Sequence, residues 1–160
     1  MKIGVLSDTH IPKAALDLPK SIYEEFAGVD LILHAGDFVE IAVLEKLRKL
    51  APVKAVFGNM DTVDVKNALP VKEVIKAGDF RIGLIHGYGS PSGLIKVTKS
   101  EFDSGIDVIV FGHSHTAFNE RIGKTLFFNP GSPTDTVFAP YNSYGFLEIN
   151  DKVEGKIVIL

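Results

Sequence analysis

The sequence predicts an α/β domain whose sheets are not purely parallel. Two observations carry that reading: short apolar runs alternate with helical patterns in the first half, and hairpin-type pairs, Gly78-Asp79, Gly123-Lys124 and Asn150-Asp151, punctuate the second. With 160 residues and 46% apolar composition, the chain is long enough for one domain spanning 1–160 around a sizeable core.

In chain order the strand signals fall at about 2–7, 29–35, 53–57, 71–76, 80–85 and 107–112, then at about 117–122, 125–129, 144–149 and 153–159. Helical patterns fill three of the gaps: 19–26, closed by Gly28; 40–50, where Ile41, Leu44 and Leu47 share a face; and 92–102. No repeat, linker or low-complexity tract breaks the series.

Composition narrows the chemistry. A formal charge of -3 with both signs scattered leaves no basic footprint for a nucleic-acid polymer, although a small anionic substrate remains compatible. There is no cysteine, which excludes disulfides, thiolate nucleophiles and Cys-based zinc sites, so any metal takes N and O ligands. The opening MKIGVLSDTH holds an apolar run too short for a secretory signal or a membrane span. A cytoplasmic protein without a membrane partner is expected.

The polar residues that stop the apolar runs form a pattern of their own. "KIGVLSDTH" runs into Asp8 and His10, "LILHAGD" into Asp37, "VKAVFGN" into Asn59, "RIGLIHG" into His86 and "VIVFGHSH" into His113 and His115. Each run ends in a metal-competent side chain. Ligands of open α/β sheets bind outside the carboxyl ends of the strands, so five such loops can converge on one crevice. Taken singly, an Asp, Asn or Gly-rich strand end is an ordinary turn or cap; the order of all five is what argues for a site. Two carboxylates, one amide oxygen and four imidazoles suit Mn, Fe, Zn, Co or Ni. Seven donors exceed one tetrahedral ion, which predicts a dinuclear centre with a bridging carboxylate and a metal-bridging hydroxide as nucleophile.

Asp8-x-His10, Gly36-Asp37, Gly58-Asn59-x-Asp61, His86-Gly87 and Gly112-His113-x-His115 match, in order, the motif blocks of the calcineurin-like metallophosphoesterases. With the later Asn-Pro-Gly-Ser at 129–132, the chain most resembles the small YfcE-like phosphodiesterases. The resemblance implies a sandwich of two mixed β-sheets flanked by helices, a four-layer αββα arrangement. It also implies one metal held by Asp8, His10, Asp37 and His115, and a second held by Asp37, Asn59, His86 and His113. Asp37 would bridge, and the two divalent ions would be manganese first, with Ni, Co, Fe or Zn as the other fits.

One departure from the family concerns the acid. Many members carry Gly-Asn-His-Asp or Gly-Asn-His-Glu, whose histidine protonates the leaving oxygen, but this chain reads Gly58-Asn59-Met60-Asp61; YfcE-like members commonly lack that histidine too. Asp61 is then a candidate proton donor, or more readily a carboxylate that orients the Asn59 loop, and Met60 offers apolar surface beside the leaving group. Asn59 and Lys13 are the candidate substrate contacts. Ser114 reads as a turn residue, His34 as a buried partner rather than a ligand, 87–90 as a loop lacking the lysine of a phosphate cradle, and 129–132 as a turn passing near the site.

The expected function is a metal-dependent phosphodiesterase acting on a small phosphodiester, with self-association compatible but not specified. The alternative is a non-catalytic scaffold, because "DTHIPK" at 8–13 resembles the retromer subunit of this fold. That scaffold has replaced several ligands, whereas every position here bears a competent donor, which favours the enzyme. A protein phosphatase fits poorly with the short chain and missing acid, and a nuclease with the absent basic groove.

Overall fold

The computed structural model describes residues 1–160. In chain order the elements are β1 (Lys2–Leu6), α1 (Lys20–Phe26), β2 (Leu31–His34), α2 (Ala42–Arg48), β3 (Val53–Ala55), α3 (Val63–Ala68), β4 (Lys72–Ala77) and β5 (Phe80–Ile85). A short 3-10 turn at Pro91–Gly93 leads into α4 (Leu94–Ser100), followed by β6 (Val108–Val110), β7 (Phe118–Ile122), β8 (Thr125–Asn129), β9 (Ser143–Ile149) and β10 (Val153–Ile159). Every predicted strand is present. The helices at 19–26, 40–50 and 92–102 are shorter than their patterns, and α3 forms where the sequence shows no helical pattern.

Two five-stranded sheets result, in the orders β10-β9-β1-β2-β3 and β4-β5-β6-β8-β7. Both are mixed: β1, β2 and β3 run parallel with β9 antiparallel to β1, while β5, β6 and β8 run parallel between antiparallel β4 and β7. The three hairpins turn where the sequence predicts, and Gly78 and Gly123 open the two-residue loops at φ 61° and 63°, values that suit glycine.

The strand period of two sorts side chains into layers. Ile3 and Val5 of β1 meet Ile82 and Leu84 of β5 between the sheets. Leu6, Ile32 and Phe146 face outward under Ile22 and Phe26 of α1 and Leu44 and Leu47 of α2. On the far side Ile85, Ile109 and Phe127 are covered by Leu94 of α4. This is the αββα sandwich implied by the family resemblance. A Cβ at Gly4 would lie 2.7 Å from the Phe26 ring and one at Gly83 2.9 Å from the Phe102 ring, so both positions keep an aromatic flat on its sheet. No helix is long and apolar enough to cross a membrane.

Backbone pairing continues past the strand ends. Asp8 N–H donates to Gly36 O at 3.0 Å and His10 N–H to Asp37 O at 2.9 Å, which locks the loop after β1 to the loop after β2. Gly112 N–H donates to His86 O at 3.0 Å and does the same for β5 and β6.

Candidate metal centre

All seven strand-end donors meet in one place. Asp8, His10, Asp37 and His115 offer ligand atoms that lie within 4.8 Å of one another. Around Asn59 Oδ1, His86 Nε2 and His113 Nδ1 each stand at 3.1 Å. Asp37 joins the two groups: its Oδ1 accepts Met60 N–H at 2.8 Å, and its Oδ2 lies 3.6 Å from His10 Nε2 and 3.3 Å from His86 Nε2.

The loops reach this arrangement through backbone conformations that side-chain-bearing residues seldom adopt. Only six non-glycine residues have positive φ, and five of them are Asp8 (54°), His10 (44°), Asp37 (59°), His113 (70°) and His115 (56°). Asp and His tolerate this region better than most residues, but each such position still costs on the order of 1 kcal/mol. The sixth is Val39 at 77°, a β-branched residue one step from Phe38. Such strain survives where neighbours over-determine it.

Asp61 supplies much of that determination. Its carboxylate accepts N–H bonds from Gly58 at 2.7 Å, Val39 at 2.7 Å and Asp37 at 3.0 Å. Burial raises its pKa, with the three N–H donors opposing. Both oxygens are engaged with backbone and the residue does not line the crevice, so Asp61 orients the Asn59 loop and is not placed to protonate a leaving group. His34, fully buried, accepts Gly36 N–H at 3.2 Å, sits 3.2 Å from Thr9 Oγ1 and stacks on Phe38; burial holds its pKa well below the usual value. It ties β1 to β2 as a neutral imidazole.

Three site imidazoles are held from behind. His86 Nδ1 is 2.8 Å from Ala35 O, His113 Nε2 is 2.9 Å from Gly89 O, and His115 Nδ1 bonds Asp135 Oδ2. With the outer nitrogen donating, each inner nitrogen is aimed at carboxylate or amide oxygens, and in the neutral ring it carries the lone pair a metal would take. His115 Nε2, for example, lies 3.3 Å from Asp8 Oδ1 and 3.2 Å from His10 Nε2. In the absence of a metal, protons on the inner nitrogens of His86 and His115 meet these oxygens; a divalent cation that displaces them finds the donor set that first-row metals take.

The electrostatics follow. Burial works against charge on His86, but Asp37 and Asp8 outweigh it and push its pKa up to about 9. Burial likewise opposes charge on His115, yet Asp8 and Asp135 bring it up to about 9. Burial would raise the Asp8 and Asp37 carboxyls, and their histidine partners hold both below the ordinary value. For His10 burial prevails over the carboxylates and its pKa falls.

The centre opens into a crevice of about 510 Å³ whose lining includes Lys13, Met60, Val137 and Phe138. Sequence reasoning missed Asp135, which stands three residues beyond the 129–132 turn. That turn also braces the site: Asn129 Nδ2 donates to Gly112 O at 2.9 Å and to Ser114 Oγ at 3.1 Å, and Ser132 Oγ donates to Asp8 O at 2.7 Å. Ser114 is thus a bonded turn residue, and the 87–90 loop touches the site through Gly89 O.

An αββα sandwich that gathers imidazoles and carboxylates at its strand ends is a metallophosphoesterase-type scaffold. Residues 1–152 match the calcineurin-like phosphoesterase superfamily domain, and the chain belongs to that superfamily of phosphoric ester hydrolases. A probable metallophosphoesterase of Methanocaldococcus jannaschii is 42% identical over 160 residues, covering 99% of this chain and 81% of that one. Among solved structures, an archaeal phosphodiesterase superposes with a TM-score of 0.78 at 27% identity over 100% of both chains. Wild-type Vps29 of Entamoeba histolytica, solved with Zn²⁺, superposes with a TM-score of 0.77 at 28% identity over 99% of each.

Proposed function

We propose that the chain is a cytoplasmic phosphodiesterase that hydrolyses small phosphodiesters at a dinuclear divalent-metal centre, with manganese the preferred ion and Ni, Co, Fe or Zn able to replace it. The observation that carries this reading is the convergence of inner imidazole nitrogens on Asp8, Asp37 and Asn59, with Asp37 Oδ2 shared between the two groups. Asp8, His10, Asp37 and His115 would hold one ion, and Asp37, Asn59, His86 and His113 the other. Bound there, the ions supply Lewis acidity and lower the pKa of water toward neutrality.

The chain's own residues do the rest. Lys13 and Asn59 both line the crevice, Lys13 to draw the phosphate charge in and Asn59 to meet a phosphoryl oxygen. Met60, 45% exposed, occupies the place where many members of the superfamily, though commonly not the YfcE-like ones, carry a protonating histidine. With Asp61 turned to backbone, the leaving oxygen departs with little help, so turnover should depend steeply on leaving-group pKa. The small crevice and the balanced charge both favour a small diester over a nucleic-acid polymer.

The scaffold reading draws on the likeness to Vps29 and on the Asp8-to-Lys13 stretch. One experiment separates the two. Elemental analysis after manganese loading should give two ions per chain, and bis(p-nitrophenyl) phosphate should be cleaved faster than p-nitrophenyl phosphate, with Asp37→Ala losing both metal and turnover. A loaded protein with two metals and no esterase activity on any activated diester would favour the scaffold.

A further inference from the structure

Beside this polar centre the structure exposes large apolar side chains. Val137 and Phe138 are each 76% exposed, and both line the same crevice as Met60 and Pro91. Their exposure is not looseness. Asp135 accepts N–H bonds from Val137 at 2.8 Å, Phe138 at 3.2 Å and Ala139 at 3.1 Å, while Asn142 Nδ2 donates to Asp135 O at 2.7 Å. Thr134 Oγ1 donates to Thr9 O at 2.7 Å and fastens the segment to the loop after β1. The Phe138 ring stands edge-to-face with His115, centroids 6.1 Å apart. A pinned loop therefore presents an aromatic ring to the crevice instead of burying it, which signals a binding surface.

We propose that Phe138, supported by Val137, forms a shelf that receives an aromatic ester arm of the substrate and makes the site selective for aryl-bearing phosphate esters. The inference rests on the phosphoester reading of the centre. A phosphate set against His115 has Phe138 within reach of its ester arm, since the two rings stand 6.1 Å apart and both line one space of about 510 Å³, a volume that holds a small organic ligand. An aromatic arm is specified over an alkyl one because ring pairs gain more than their buried area alone provides.

The test uses the manganese-loaded full chain with phenyl phosphate and methyl phosphate as probes in calorimetric titrations. Wild type should bind the phenyl ester about tenfold more tightly, Phe138→Ala should reduce that preference below about threefold, and Phe138→Tyr should keep it. Equal binding of the two esters by wild type, or a preference that persists in Phe138→Ala, overturns the shelf. Hydrolysis of p-nitrophenyl diesters carrying a phenyl or a methyl second arm is followed in parallel. Absence of all turnover with phenyl selectivity intact counts against the diesterase reading and leaves the shelf supported.

Discussion

Asp135 serves two structures with one carboxylate. It fixes the outer nitrogen of His115 and, through three backbone N–H groups, the segment that carries Phe138. Burial would raise its pKa, and His115 together with those N–H groups brings it below the usual carboxylate value. A carboxylate behind an imidazole fixes the ring's tautomer and strengthens its inner lone pair. Asp135→Asn keeps the size but removes the charge, so manganese affinity should fall about 10- to 100-fold with the fold intact. Competition titration against a metal-sensitive dye reads this directly. An unchanged affinity would mean that His115 needs no anionic partner.

At the scale of elements, the strands were legible because burial alternates: Ile3 and Val5 face one layer and Leu6 the other, the period the sequence displays. The seven candidate donors were legible for a related reason, since a polar residue that ends an apolar run is conspicuous. Helix α3 was not, because its six residues bury only Val65 and offer no stripe, and it stops where Leu69 turns extended before Pro70. Asp135 was illegible because it lies between β8 and β9, in a stretch with no regular element and no period to read. Register also explains Gly4, which faces α1 where the alternation calls for a larger residue. Phe26 is fully buried and has nowhere to move, so Gly4→Ala should destabilise the fold by about 1–3 kcal/mol. Urea unfolding measures it, with Gly28→Ala as the comparison, since a Cβ there meets nothing within 4 Å. Equal midpoints for the two variants would show that α1 shifts freely on its sheet.

The centre joins the two halves of the whole molecule, since Asp8, His10, Asp37 and Asn59 come from the first sheet and His86, His113 and His115 from the second. Its protonation should therefore register in global stability. In chelator-treated protein, His86 and His115 have pKa values near 9 in the fold, raised from about 6.5 in the unfolded chain. A raised folded pKa means that the fold binds protons more tightly than the unfolded state. That contribution is complete below pH 6.5 and is lost as pH climbs through about 9. Asp8 and Asp37 have lowered values, so their contribution is present above about 3.8, the unfolded value, and disappears only in acid. Metal binding works in the opposite direction, because ligand imidazoles must be neutral, so the affinity for manganese and the stability it adds grow with pH. His10 and His34, whose values are lowered, oppose His86 and His115 only below about pH 6.5. Melting scans from pH 7.0 to 8.5 should accordingly show Tm falling in EDTA, while the gap between manganese and EDTA widens across the same range. A gap independent of pH would mean that His86 and His115 give up no protons to the metal, and the ligand assignment of those two residues would have to be withdrawn.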